Sequence, residues 1–259
     1  MALVLSDYHD RIGTITFNNM GKRNCLSNYL LNELVGAVAE MKNVKARAVI
    51  IRAEKGAKVW SSGRAIDELP DPGRDPLSYD DPLEHALRRI QHFPAPVIAM
   101  IEGGVWGGAC DLTCTCDLAI GSPTASFSMT PAKIGVPYNS TGILHFINIV
   151  GMRMAREMFF TAQPVNAERA HAIGILNHLV PVEDLESFTY NMANQIAENS
   201  PLSIWVIKEQ LRILGNSHSL SPETFERIQG LRRQAYESDD YREGKKAFLE
   251  KRKPVFRGE

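Results

Sequence analysis

The sequence predicts an α/β fold. Three observations carry it: apolar strand-like runs alternate with amphipathic helical segments, two of those runs lead into glycine turns, and beyond about residue 140 the pattern is helical nearly to the end. With 259 residues, 44% hydrophobic content and a formal net charge of −1, the chain suits one globular domain with a helical appendage.

Leu3 to Asn18 alternates apolar and polar residues, as in Ile12-Gly-Thr-Ile-Thr-Phe17, and reads as a hairpin of half-buried strands. A turn follows and ends at Ser27, a candidate N-cap for a helix in which Leu30, Leu31, Leu34, Val38 and Met41 recur at helical spacing. Ala46 to Arg52 is a short apolar strand. Val59 to Leu69 repeats a grammar of strand, glycine turn and helix, and Asp71 to Pro82, dense in proline and aspartate, is an irregular surface loop. An amphipathic helix with Leu83, Leu87, Ile90 and Phe93 precedes a buried strand, Pro96 to Ile101; Leu118–Gly121 and Ala125–Ser128 are further short strands.

Between these strands, Glu102 to Asp117 begins E-G-G-V-W-G-G-A-C-D, a glycine-rich loop feeding a helix N-terminus. Backbone N–H groups at such a point are unpaired and partly positive. They can bind a phosphate, or hold a carbonyl oxygen as it becomes an oxyanion, or the glycines can serve close packing alone. The second glycine turn, at Gly63, permits the oxyanion reading in a stronger form, with one N–H from each loop aimed at a single oxygen.

The near-neutral charge points away from nucleic acid and anionic membranes, and no apolar run approaches the roughly twenty residues of a membrane span. The N-terminus lacks a basic region and a small-residue cleavage site, so a cytoplasmic protein is expected. Cys110, Cys114 and Cys116 crowd together without a C-x-x-C pair or a nearby histidine, which favours reduced thiols on a core helix over a metal site. The histidines at 85, 92, 145, 171, 178 and 218 have no serine or cysteine partner motif and read as structural.

Longer motifs add a resemblance. W-S-S-G-R-A-I-D-E-L, G-G-V-W-G-G-A-C-D-L, F-S-M-T-P-A-K-I-G-V-P-Y-N, the A-x-x-x-G-I-L-N-H-L-V run at Ala170 to Val180 and E-G-x-x-A-F-L-E-K-R-K-P near the C-terminus resemble the crotonase, or enoyl-CoA hydratase/isomerase, superfamily. That resemblance implies a crotonase-like ββα spiral over residues 1–195 and a C-terminal helical trimerisation region over 196–259. It further implies a trimer or a dimer of trimers and an acyl-CoA substrate, with no metal and no cofactor beyond the coenzyme A of the substrate.

By position, the family's oxyanion donors fall on the backbone N–H groups of Arg64 and Gly108, with Ser62, Gly63, Ala65 and Ile66 beside them at the substrate. The family's hydratases use two glutamates; here the first position holds Asp111, one methylene shorter, and the second holds Pro131, which has no proton to give. R-D-P-L-S-Y-D-D-P-L, F-S-M-T-P and G-V-P-Y-N are instead similar to the family's decarboxylases of methylmalonyl-CoA. This implies loss of carbon dioxide from methylmalonyl-CoA, or a close malonyl-CoA analogue, to give propionyl-CoA through a thioester enolate. The alternatives are a hydratase- or isomerase-like acyl-CoA enzyme, for which only Asp111 is near enough to serve as a base, and a non-catalytic acyl-CoA binder.

In those decarboxylases the tyrosine matching Tyr138 orients the substrate, and the threonine matching Thr130 lies beside the acyl group. Read on its own, Tyr138 is a turn tyrosine closing the P-Y-N-S bend, with its hydroxyl in water. Arg64 departs from the pattern, standing where the decarboxylases carry histidine, with Ala65 in place of the following aspartate. Either its guanidinium points away towards the CoA phosphates or the substrate differs. Lys22 and Arg23 match a turn that contacts the adenine nucleotide, and Lys251 matches a lysine that reaches the CoA 3′-phosphate; without the resemblance both read as solvated charges.

Overall fold

The structure, a computed structural model, describes residues 2–217 and 220–258; His218 lies outside the described residues. The chain opens with β1 (Val4–His9) and β2 (Ile12–Phe17), joined at Asp10 and Arg11, both at positive φ. This is the hairpin geometry whose twist matches that of the flanking strands. Next come α1 (Asn28–Asn43), capped by Ser27 through its side chain, β3 (Ala48–Ala53) and β4 (Val59–Ser61). The segment after β4 departs from the expected helix. It forms only a single 3₁₀ turn, Ile66–Glu68, because Leu69 precedes a proline that disfavours helical backbone before it and brings no N–H of its own.

The repeating unit then becomes plain. Helix α2 (Pro82–Gln91) leads to β5 (Val97–Ile101) and β6 (Gly104–Trp106); α3 (Gly108–Thr115) leads to β7 (Leu118–Gly121) and β8 (Ser126–Ser128). Helix α4 (Ser140–Thr161), interrupted at Gly151, precedes the two-residue strands β9 (Val165–Asn166) and β10 (His178–Leu179), which flank α5 (Ala167–Ala172). Neither short strand was expected, since two residues leave no periodicity to read. Helices α6 (Leu185–Glu198), α7 (Pro201–Gly215), α8 (Pro222–Glu237) and α9 (Asp239–Leu249) complete the described elements.

Successive turns feed two sheets. One has the order β1-β2-β3-β5-β7-β10 and is parallel apart from β1; the other runs β4-β6-β8-β9 and is parallel apart from β9. Strand β3 shows why its run is apolar without alternation: Val49 and Ile51 face the main core, while Ala48 and Ile50 face a second core under α6. Buried Trp60 donates from Nε1 to the Met100 carbonyl at 2.8 Å and meets Phe17 edge-on, fixing β4 against its neighbours.

The last helices fold back over the site. Tyr241 of α9 donates to the Pro70 carbonyl at 2.8 Å and Lys245 to the Leu69 carbonyl at 2.6 Å, while Arg232 of α8 forms a bidentate pair with Asp75 in the irregular loop. Gly244 lets α9 approach the 3₁₀ turn Pro131–Ile134, since a Cβ there would lie 2.4 Å from the Ile134 carbonyl carbon.

Candidate active site

Two turns meet at the centre. After β4, Gly63 sits at φ +79, where a Cβ would come within 2.2 Å of the Trp106 carbonyl oxygen, so only glycine lets the first loop approach the second. The loop is pinned by backbone bonds: Leu26 N–H donates to the Gly63 carbonyl at 2.8 Å and Ala65 N–H to the Leu26 carbonyl at 3.3 Å. Successive amides of an extended segment point to opposite sides, so the Arg64 N–H faces away from Leu26. After β6, Gly107 adopts φ 53 and ψ −122, and Gly108 is the first residue of α3. Built Cβ positions show how near the loops are: one on Gly63 would lie 3.1 Å from the Gly108 nitrogen, and one on Gly108 3.7 Å from the Arg64 nitrogen. Neither the Arg64 nor the Gly108 N–H donates to an acceptor among the described residues.

These groups border a cavity of about 50 Å³, with room for a few heavy atoms. Of the residues expected at the site, Ser62, Arg64, Ile66, Gly108, Thr130 and Tyr138 line it; among the described residues no aspartate, glutamate or histidine does. Gly63 and Ala65, the chain neighbours of Arg64, do not line it. Lys22 and Arg23 are exposed, but the Arg23 carbonyl accepts the Ser62 N–H at 2.9 Å, which sets this basic turn beside the first loop. Lys251 is exposed just past the end of α9.

Arg64 takes neither course expected of it. Its guanidinium turns into the protein, donating to the Leu26 carbonyl (3.1 Å), Glu68 (3.0 Å), Asn28 Oδ1 (2.6 Å) and Asp81 (3.4 Å). Its charge is therefore answered before any ligand arrives. Burial pushes the Asp81 carboxyl up, against the pull of Arg64, and the same side chain caps α2 by accepting the Leu83 N–H at 2.8 Å.

Tyr138 is buried, and its hydroxyl is not in water: it donates to Asp111 Oδ2 at 2.8 Å. Asp111, fully buried on α3, also meets His145 Nδ1 at 2.6 Å through Oδ1. Both carboxylate oxygens are thus occupied, and Asp111 stands behind Tyr138 without lining the cavity. Burial and then Asp111 push the Tyr138 phenol well above its ordinary range. Burial alone would depress His145, yet Asp111 and Glu84 carry it above the usual imidazole value. Glu84, 5% exposed, accepts from Asn139 Nδ2 at 2.6 Å, and burial followed by Asp111 pushes its carboxyl up to about 7.

Sequence reasoning missed this inner network. His145 was read as structural, and Glu84 and Gln91 were passed over, although they lie seven apart on the apolar face of α2 that carries Leu87. A polar pair on a buried stripe was the available signal. The cysteines behave as expected of core thiols, with burial pushing Cys110 and Cys116 upward, and among the described residues no group of three His, Cys, Asp or Glu side chains is placed to hold a metal ion. No described helix is long and apolar enough to cross a membrane.

Comparison with known proteins agrees with this geometry. The family model for enoyl-CoA hydratase/isomerase matches residues 7–259. The chain is 51% identical to a methylmalonyl-CoA decarboxylase of Escherichia coli (strain K12) over 249 residues, covering 96% of this chain and 95% of that protein. Among solved structures, a methylmalonyl-CoA decarboxylase in complex with 2-nitronate-propionyl-CoA superposes with a TM-score of 0.97 at 49% identity, covering 99% of each chain. Another, complexed with 2S-carboxypropyl-CoA, gives the same TM-score and identity, covering 100% of this chain and 99% of that one.

Proposed function

Because the chain belongs to the enoyl-CoA hydratase/isomerase family, we propose that it is a carboxy-lyase that converts methylmalonyl-CoA to propionyl-CoA. The observation that carries this reading is a pair of unspent amides, Arg64 and Gly108, at a cavity that no carboxylate or imidazole lines among the described residues. Hydration needs an acid and a base within hydrogen-bond reach of the substrate. Breaking the carbon–carbon bond in a decarboxylation needs neither, since the bond from the α-carbon to the carboxylate supplies the electron pair.

The chemistry follows from that difference. The thioester oxygen sits between the two N–H donors, and the α-carboxylate is held across the carbonyl plane. As the carbon–carbon bond breaks, carbon dioxide leaves and the electron pair passes into the thioester, giving an enolate whose oxygen carries nearly full charge. Preorganised donors stabilise that charge more than they stabilise the neutral thioester, and this difference accelerates the step. A proton from water then reaches the α-carbon, completing propionyl-CoA. Tyr138 orients the reactive carboxylate, and Thr130 lies beside the acyl group. The inward-facing guanidinium of Arg64 leaves that carboxylate without a cation to stabilise it in the ground state. The acyl-CoA complexes of the two solved relatives support a propionyl-sized acyl group at this site.

The reading includes no cofactor beyond the coenzyme A of the substrate, with Lys22, Arg23 and Lys251 contacting it, and a cytoplasmic setting. It also includes a homo-oligomer, a trimer or a dimer of trimers. What supports the oligomer is α7, which buries none of its residues while Leu202, Trp205, Leu211 and Leu214 stand exposed.

The test is incubation with malonyl-, methylmalonyl- and ethylmalonyl-CoA, followed by mass analysis of the thioesters. Loss of carbon dioxide from methylmalonyl-CoA is expected. Intact thioesters alongside hydration of crotonyl-CoA would replace this reading with the hydratase one.

A further inference from the structure

We propose that His145 is a positioning residue for Tyr138, acting through Asp111 to decide whether the tyrosine hydroxyl turns its hydrogen to the protein or to the substrate. The proposal rests on the decarboxylase reading for its catalytic consequence, and on geometry for the linkage itself. Tyr138 lines the cavity and His145 does not; between them Asp111 accepts from the phenol on one oxygen at 2.8 Å and meets the imidazole on the other at 2.6 Å.

A phenol has one hydrogen to give. While Asp111 holds it, Tyr138 presents only lone pairs to the cavity, and these repel a substrate carboxylate. The hydroxyl can hold the substrate's anionic group only if Asp111 yields that hydrogen, which depends on how completely the aspartate's charge is met elsewhere. Among the described residues no lysine or arginine pairs with Asp111, so His145 is the cation available to it. The groups that face the imidazole are Asp111 and Thr115 from α3 and Glu84 and Gln91 from α2, with Tyr138 beyond Asp111.

Gln91 suits a residue that changes protonation state. Its amide lies 2.7 Å from His145 Nε2. The NH₂ group donates to a neutral ring, and after an amide flip the carbonyl accepts from an imidazolium, so neither state leaves a buried nitrogen without a partner. Protonated His145 neutralises Asp111 and frees the tyrosine hydrogen for the substrate. Neutral His145 leaves Asp111 holding it. Asp111 and Glu84 together keep the ring protonated beyond the ordinary imidazole range, so the substrate-facing state persists to higher pH than an isolated histidine would allow.

The deciding experiment is a double-mutant cycle on kcat for methylmalonyl-CoA with His145→Gln and Tyr138→Phe, accompanied by pH profiles. If the imidazole works through the tyrosine hydroxyl, His145→Gln lowers kcat by about tenfold in the wild-type background and less than about twofold in Tyr138→Phe. The fall of kcat at high pH that this linkage predicts for the wild type also disappears in either variant. Equal losses in both backgrounds, with the pH limb intact, would overturn the proposal and leave His145 a packing residue. Should the wild type release no carbon dioxide from any malonyl thioester, the proposed function falls, and the linkage is decided by NMR titration of the His145 ring. Removing the hydroxyl in Tyr138→Phe takes one donor from Asp111, so the ring should titrate at higher pH than in the wild type. An unmoved midpoint would overturn the linkage without recourse to turnover.

Discussion

Arg64 and Asp81 meet guanidinium to carboxylate at 3.4 Å, and through that contact the residue bearing one of the two proposed oxyanion donors is tied to the residue that caps α2. Leu83, two residues further on, packs where a Cβ on Gly108 would be, within 2.8 Å. The two donors are thus registered against each other through the first turn of one helix as well as by their own loops. Arg64→Ala keeps the amide but removes the cation from two side chains, at 8% and 9% exposure, that meet inside the protein. A loss of stability of about 3 kcal/mol is expected, because an unpaired carboxylate is left buried. Urea unfolding of the variant checks this, and a midpoint equal to wild type would show that the pair holds nothing in place.

At Gly108 the amide and the missing side chain can be separated. Gly108→Ala retains the N–H and need only displace the Leu83 methyl, whereas Gly108→Pro removes the donor. Proline should cost roughly 2.7–4 kcal/mol of barrier, a fall in kcat of about a hundred- to a thousandfold, and alanine far less. Steady-state kinetics of the two variants side by side gives the comparison.

Glu84 makes stability depend on pH. Its pKa rises from 4.5 to about 7 on folding, so its contribution is fully present below pH 4.5 and is lost as pH rises through about 7. That interval corresponds to about 3 kcal/mol. Glu84→Gln keeps an oxygen for Asn139 and cannot ionise. Relative to wild type, it should gain up to about 3 kcal/mol between pH 4.5 and pH 8, measured as the difference in denaturation midpoints along that series; a constant difference would place the Glu84 carboxyl in water.

Lys251 should bind without taking part in chemistry. Its ammonium is exposed at the end of α9, where it can meet a phosphate of the CoA portion. Lys251→Ala is expected to raise KM with little change in kcat, and to weaken the salt dependence of binding. A large drop in kcat at unchanged KM would move Lys251 into the reaction itself.

Much of the scaffold was legible because it is local. Apolar runs, the Ser27 cap and the glycines at 63, 107 and 108 announce β3, β5, α1 and both loops without reference to distant chain. Half of the residues that line the cavity, Ser62, Arg64, Ile66, Gly108, Thr130 and Tyr138, were named from the family motifs. The network behind that wall was not legible. Gln91, Asp111, Tyr138 and His145 are drawn from α2, α3, the segment before α4 and α4 itself, and nothing in their spacing says that they converge. Arg64 shows the same limit from the other side: its position was readable, but the direction of its guanidinium depends on Glu68, Asn28 and Asp81, which only the folded chain brings together.

The docking of α9 on Leu69, Pro70 and Ile134 has a consequence for biosynthesis. Leu69 and Ile134 belong to the cavity wall, yet they are braced by Tyr241, Gly244 and Lys245, which leave the ribosome long after both glycine loops have emerged. A nascent chain folding from its N-terminus can close both sheets and form both glycine turns while this part of the wall is still unsupported. Support for this part of the pocket therefore waits on the synthesis of α9.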